Sequence, residues 1–115
     1  MIPYNSGDVV LVRFPFTDLQ SSKKRPALIV NPPSFGTNYG DIVVLALTSQ
    51  DQQDGTLKLA GWKAAGLPKP TWVKALIGTL SNTLVVRRMG ALDKRDYPVV
   101  TSALKMLVAN EFWGK

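Results

Sequence analysis

The stretch Gly7–Val30, GDVVLVRFPFTDLQSSKKRPALIV, decides how the rest of the chain is read. It holds two largely apolar runs, Val9–Phe14 and Ala27–Val30, each too short for a helix and rich in β-branched residues. Between them lies a polar connection carrying Pro15, Thr17, Asp18, Ser21, Ser22, Lys23 and Lys24. Short apolar runs bounded by turn-forming residues read as strands, so the stretch predicts a hairpin with a long, basic tip. Lys23, Lys24 and Arg25 follow one another where that tip meets the second strand. Neighbouring cations repel one another and stay near water. Arg25 is therefore expected at a strand mouth.

Outward from this hairpin, Asn31-Pro32-Pro33-Ser34 ends the second strand, because consecutive prolines cannot join a central ladder. Ile42–Leu47 is an unbroken apolar run and reads as a buried central strand, stopping at Thr48-Ser49-Gln50. Asp51–Gly55 is turn-like, Thr56–Leu59 reads as a short edge strand, and Gly61–Pro70 reads as a connection. Trp72–Ile77 and Val85–Met89 are further strands, the second closed by Gly90. Then the period changes. Val100, Ala103, Leu104, Leu107 and Val108 form the stripe of an amphipathic helix, and Pro98, tolerated only in a first turn, favours Asp96 as its N-cap. Five or six short strands and a C-terminal helix predict a mainly β fold, a small, partly open barrel with a helix against it. SH3-like and OB-like barrels both satisfy that pattern.

The 115 residues suit one domain, 1–115. No apolar run approaches the roughly 20 residues of a membrane span. No basic segment followed by an apolar stretch marks a signal peptide, so a cytoplasmic location is expected. Fourteen Lys and Arg against 8 Asp and Glu leave a net charge of +6, which points to a polyanionic partner, nucleic acid or an acidic protein. Histidine and cysteine are both absent. That removes the commonest general acid–base catalyst, disulfides, thiolate chemistry and the usual zinc ligands. Catalysis would have to use Arg, Lys, Ser, Thr, Tyr or a carboxylate, with no metal and no cofactor expected.

Thr48 follows the buried strand at a change from apolar to polar, where a hydroxyl can point into a cleft beside the neighbouring strand's mouth. Lys23, Lys24, Lys69, Lys74, Arg87 and Arg88 are available for phosphates, and Phe16 and Trp72 for stacking on unpaired bases.

In order and at this spacing, Gly7-Asp8, Phe14-Pro15-Phe16-Thr17-Asp18 and Arg25-Pro26-Ala27-Leu28 resemble the MazF/PemK family of toxin endoribonucleases. The resemblance continues through Leu47-Thr48-Ser49, Gly66-Leu67-Pro68-Lys69-Pro70, Val73-Lys74, Thr79-Leu80, Val86-Arg87-Arg88 and Gly90-Ala91-Leu92. It implies a small SH3-like barrel of the CcdB/PemK type. It implies also a toxin that cuts single-stranded RNA without metal, by attack of the 2′-oxygen on the adjacent phosphorus. A homodimer and an acidic antitoxin that occupies the RNA groove are the implied partners. Arg25 and Thr48 fall on the family's catalytic positions. Phe16, Thr17, Lys23, Lys24, Ser49 and Lys74 make up the expected substrate-binding set. The chain departs from the family at Ala75-Leu76-Ile77-Gly78, where members often carry an acidic and a long polar residue, and at Arg13, where proline is common. A route needing a carboxylate base within Ala75-Leu76-Ile77-Gly78 is closed. A non-catalytic barrel that binds RNA or protein is the alternative reading, and a purely protein-binding SH3-like module a third.

Overall fold

The computed structural model describes residues 4–13, 23–31 and 40–110. The apolar runs become β1 (Asp8–Arg13), β2 (Lys24–Ile29), β3 (Asp41–Thr48), β4 (Trp72–Ser81) and β5 (Val85–Ala91), followed by helix α1 (Tyr97–Leu104). The strands form one five-stranded sheet in the order β4-β3-β2-β1-β5, antiparallel throughout. This order has a mechanical consequence. β4 and β5 are opposite edges, yet a single 3₁₀ turn of three residues, Asn82–Leu84, joins them. Four strand spacings in a flat sheet amount to about 19 Å. The linking residues reach at most about 14 Å. The sheet therefore curls until its edges meet at that corner, giving a barrel that is open rather than closed along β4 and β5.

Curling produces two cores. The concave face packs Val10, Val12, Ala27, Ile29, Val44 and Leu80 with Leu84 and Val85 of the corner. The convex face packs Val9, Leu28, Leu45, Leu47 and Val73 under Leu59, Leu67 and the helix residues Val100 and Ala103. Burial on both sides explains why the strands show no polar alternation: Val9, Val10 and Val12 are all 0% exposed. β4 is the irregular strand. Leu45 pairs with Ile77 and Leu47 with Val73, so two steps along β3 match four along β4 and the Lys74–Leu76 stretch bulges. Trp72–Ile77, read as a complete strand, is thus the first half of a bent one ending at Ser81. Leu76 packs against the concave core.

Three further expectations change. Thr56–Leu59 is not an edge strand, because Gly55–Leu57 forms a 3₁₀ turn whose Thr56 N–H donates to the Asp54 carboxylate at 2.9 Å. Only Lys58 bridges to the sheet, at Trp72. The side-chain acceptor of Asp54 outcompetes the β preference of so short a run. Asp96 does stand at the N-cap position of α1, but its side chain makes no cap hydrogen bond there. An N-cap side chain accepts from the second or third helical N–H, and Pro98 at the second has none. The carboxylate is instead 1% exposed and accepts from the Ala60 N–H (2.8 Å) and the Gly61 N–H (2.7 Å), tying the 60–61 backbone to the helix start. Asp93 caps the preceding turn, and hydrogen bonds from the Arg95 side chain and then its backbone N–H hold the Asp93 carboxyl below its usual range. Finally, Val108 leaves the helical stripe and is exposed. Beyond Leu104 the helix widens to a π-helical segment, Lys105–Asn110, and i→i+5 bonding rotates later residues off the 3.6-residue stripe.

Replacing Asp96 with Ala removes the acceptor of two N–H groups. The unfolding free energy is expected to fall by about 2–4 kcal/mol in chemical denaturation. A loss below about 0.5 kcal/mol, the level of an ordinary surface change, would show that this tie does not hold the connection.

Candidate active site

Strand register places the two residues singled out for chemistry. β2 pairs with β3 through Ala27 opposite Ala46. Continuing that register by two residues sets Arg25 beside Thr48, the last residue of β3. Thr48 in turn pairs with Trp72, the first residue of β4. Directly opposed residues of an antiparallel pair share a face, with Cβ atoms about 4.5–5.5 Å apart. Thr48 and Trp72 are thus a cross-strand pair, and Arg25, two residues beyond the last β2–β3 pair, lines the same cleft as Thr48. β2 begins at Lys24, earlier than the expected Ala27, so Arg25 lies within the strand's first residues, opposite Val12, and is exposed. The strand-mouth position holds.

A cleft of about 280 Å³ opens at this end, between the sheet and the segment around Leu67–Thr71. Its apolar surface comes from Leu11, Pro26, Leu47, Leu67 and Met89, and its polar groups from Lys24, Arg25, Thr48, Ser49, Lys69 and Thr71. The charged residues on it are all cationic; among the described residues no carboxylate lines it. The Thr48 hydroxyl accepts a hydrogen bond from the Gln50 N–H at 3.1 Å, which leaves its own proton for donation. The Thr71 hydroxyl donates to the Lys69 carbonyl at 2.8 Å and fixes the backbone that carries Lys69.

The far wall is set without side chains. Gly66 has φ +87°, and a Cβ there would overlap the Met89 carbonyl oxygen. A Cβ on Gly90 would overlap the Ala65 carbonyl oxygen. The 65–66 turn and the 89–90 segment of β5 thus touch backbone to backbone, and Leu67, Pro68 and Lys69 are delivered onto the cleft. Only glycine permits both the close approach and the left-handed conformation.

Of the expected substrate-binding set, Lys24 and Ser49 line the cleft beside Arg25 and Thr48. Lys74 does not; it lies half-buried in the β4 bulge. Lys23 is exposed just before β2 and is not part of the lining. Phe16 and Thr17 fall outside the described residues. Arg88 is committed elsewhere, its Nε lying 3.1 Å from the Asp8 carboxylate. Trp72 is half-buried, with the Lys58 ammonium 5.3 Å from its ring centroid, a cation–π contact worth about 0.5–1 kcal/mol at an exposed site. Sequence reasoning passed over Leu11, Met89 and Thr71 as contributors, since nothing in their local pattern marks them. Leu67–Pro70 read as a connection with Lys69 available for phosphates, and Lys69 does line the cleft.

The sequence profile of the PemK-like, MazF-like toxins of type II toxin–antitoxin systems matches residues 5–108. The chain belongs to this family. The PemK/MazF-like fold recurs in solved structures. An endoribonuclease from a mycobacterial species is 21% identical over 97% of both chains, with a TM-score of 0.73. The Mycobacterium tuberculosis toxin MazF-mt6 is 18% identical over 87% of this chain and 94% of its own, with a TM-score of 0.69. A MazE–MazF structure from Deinococcus radiodurans matches at 17% identity over 95% and 98%, with a TM-score of 0.70. At these identities the likeness is one of fold. No curated protein sequence gives a significant match. No helix among the described residues of this PemK/MazF-like chain is long and apolar enough to cross a membrane.

The glycine contact makes a direct prediction. Gly66→Ala puts a side chain both into a left-handed backbone position and against the Met89 carbonyl. The left-handed strain alone costs about 1–3 kcal/mol. The thermal midpoint is expected to drop by about 5 °C or more. An unchanged midpoint would mean that the wall is not fixed by this contact.

Proposed function

We propose that this protein is the toxin of a toxin–antitoxin pair and acts in the cytoplasm as a metal-independent endoribonuclease on single-stranded RNA. The observation that carries the reading is that Arg25 and Thr48 line one cleft whose charged lining is, among the described residues, wholly cationic. Attack of a 2′-oxygen on the adjacent phosphorus forms a 2′,3′-cyclic phosphate as the bond to the 5′-oxygen breaks. The 2′-hydroxyl gives up a proton and the departing oxygen takes one up. Negative charge builds on the non-bridging oxygens meanwhile, and the planar, two-pronged guanidinium of Arg25 suits those oxygens. Arg25 stays protonated, so it stabilises charge rather than moving protons. Thr48 donates its hydroxyl to the attacking or bridging oxygen. Lys24, Ser49 and Lys69 hold the flanking backbone.

The fold's relatives include an endoribonuclease in complex with its cognate antitoxin, from a mycobacterial species. An acidic antitoxin suits this chain's net charge of +6, and a homodimer completes the proposed assembly. Leu76 favours the second reading, a non-catalytic barrel. It puts an apolar side chain into the concave core where family members often carry a polar one.

Incubation of the purified protein with a long, unstructured RNA tests the reaction type. The sequence has no His or Cys, and among the described residues no cluster of His, Cys, Asp or Glu could hold a metal ion. Cutting is expected to persist in excess EDTA and to leave 2′,3′-cyclic phosphate and 5′-hydroxyl ends. A 5′-phosphate product that requires Mg²⁺ would overturn this chemistry.

Arg25→Lys and Thr48→Val separate enzyme from binding module. The first keeps the charge and loses the fork; the second keeps the shape and loses the hydroxyl. Both variants are expected to bind RNA within a few-fold of the parent while single-turnover cleavage falls about 10²–10³-fold. Parent-like cleavage by both variants would remove these residues from the mechanism. Binding without cleavage in the parent would favour the barrel reading.

A further inference from the structure

The departing 5′-oxygen needs a proton, and the cleft holds few groups able to give one. Arginine keeps its protons, and a threonine or serine hydroxyl is about as weak an acid as the alcohol that leaves. The chain has no histidine, and among the described residues no carboxylate lines the cleft. The ammonium groups of Lys24 and Lys69 remain. An ammonium is protonated at neutral pH and is a stronger acid than an alcohol, so its proton passes downhill to a leaving alkoxide.

Position separates the two lysines. Lys24 opens β2 beside Arg25, on the sheet side of the cleft. Lys69 comes from the facing segment, on the other wall from Arg25 and Thr48. Displacement at phosphorus sets the attacking and leaving oxygens in line, on opposite sides. At about 280 Å³ the cleft lies just below the roughly 300–1,000 Å³ of small-molecule sites, so one phosphate in it reaches both walls. The backbone under Lys69 is held. Leu67 and Lys69 each precede a proline, which confines both to extended conformations. The Leu67 N–H donates to the Trp62 carbonyl at 3.0 Å, and the Leu59 N–H to the Thr71 carbonyl at 2.9 Å. The Thr71 hydroxyl reaches the Lys69 carbonyl itself. The Lys69 side chain, by contrast, is exposed and has no carboxylate partner among the described residues. A fixed stem under an ammonium with no structural duty is what positioned proton transfer requires.

We infer that Lys69 is the general acid of the cut, giving its ammonium proton to the 5′-oxygen as the bond from phosphorus to that oxygen breaks. The inference rests on the reading of Arg25 and Thr48 as the place where RNA is cut, and adds a third catalytic residue to it. The 2′-oxygen bonds to phosphorus while its proton passes to hydroxide from solvent. The electron pair of the breaking bond stays with the 5′-oxygen, which takes the proton of Lys69 and leaves as a 5′-hydroxyl. The neutral amine then recovers a proton from water, which restores the hydroxide. The rival role for Lys69 is to hold a phosphate by charge alone. Charge and proton are separable, because a guanidinium keeps the first and withholds the second.

The test maps a cut site of the parent on a long, unstructured transcript and then uses an oligonucleotide spanning it. Two versions are made, one ordinary and one with sulfur in place of the bridging 5′-oxygen at the cut. Sulfur leaves as a thiolate without a proton, since a thiol is already acidic at about pH 8.5. Single-turnover cleavage is measured at saturating protein. Lys69→Arg and Lys69→Ala are expected to cut ordinary RNA about 10²–10⁴-fold more slowly, the usual share of one general acid. On the sulfur RNA Lys69→Arg is expected to come within about threefold of the parent, because the step it fails is no longer needed. Arg25→Lys should stay slow on both, since the non-bridging oxygens are unchanged. Lys69 is exposed and outside both cores, so thermal melting of its variants should match the parent, and if one fails to fold the other decides. Parent-like cutting of ordinary RNA by the Lys69 variants would overturn the assignment. So would an equal loss on both substrates, the mark of a group that only holds phosphate. A sulfur-rescued loss in Lys24→Arg but not in Lys69→Arg would overturn it in favour of Lys24. In each of these cases the parent still cuts. A parent that cuts neither substrate would overturn the endoribonuclease reading, and the role of Lys69 with it.

Discussion

The corner at Asn82–Leu84 governs the architecture. A chain that places consecutive strands at opposite edges of a sheet and links them through so short a turn leaves the sheet no flat solution. The resulting curl gives a small protein two apolar interiors, one inside the curl and one beneath α1. It also brings the ends of β2, β3 and β4 into register on one rim. Arg25, Thr48 and Trp72 come from strands that begin or end there; Thr48 is paired with Trp72, and Arg25 with Val12, so each stands on paired strand rather than on a loop. Sites carried on paired strands hold their geometry better than sites carried on connections.

Around that rim the chain spends its polar residues unevenly. Lys24, Arg25 and Lys69 face the cleft, whereas Asp8, Asp93 and Asp96 are engaged in the scaffold. Asp8 accepts from the Asn5 N–H at 2.8 Å and pairs with Arg88, closing the start of β1 onto β5. Asp96 anchors the backbone at residues 60–61 to the start of α1. Carboxylates that hold the fold are thereby kept from neutralising the cations that would hold phosphates. A modest net charge of +6 becomes a local excess at the place where it matters.

What could be read from the sequence followed from local signals. Ile42–Leu47 declared itself by composition, and Arg25 and Thr48 by standing where apolar runs meet polar ones. Features that depend on partners distant in the chain left no such trace. The β4 bulge exists only in register with β3. Asp96 carries every local mark of a helix cap, yet its side chain reaches residues 35 and 36 positions away because Pro98 withholds an N–H. Thr56–Leu59 has strand-like residues but yields to one carboxylate at Asp54. The cleft's far wall was the least visible part, since two glycines contribute it by what they lack.

That wall also bears on how such a protein can change over generations. A segment positioned through backbone contact alone sets no requirement on the side chains it carries forward. Gly66 and Gly90 are locked together, but Leu67, Pro68 and Lys69 face the cleft without taking part in the lock. Drift can therefore alter the shape and charge of one side of the groove while the opposite side, with Arg25 and Thr48, stays where pairing put it. The fold separates a half held by strand pairing from a half held by backbone contact alone, and the second is free to change what it presents to the cleft.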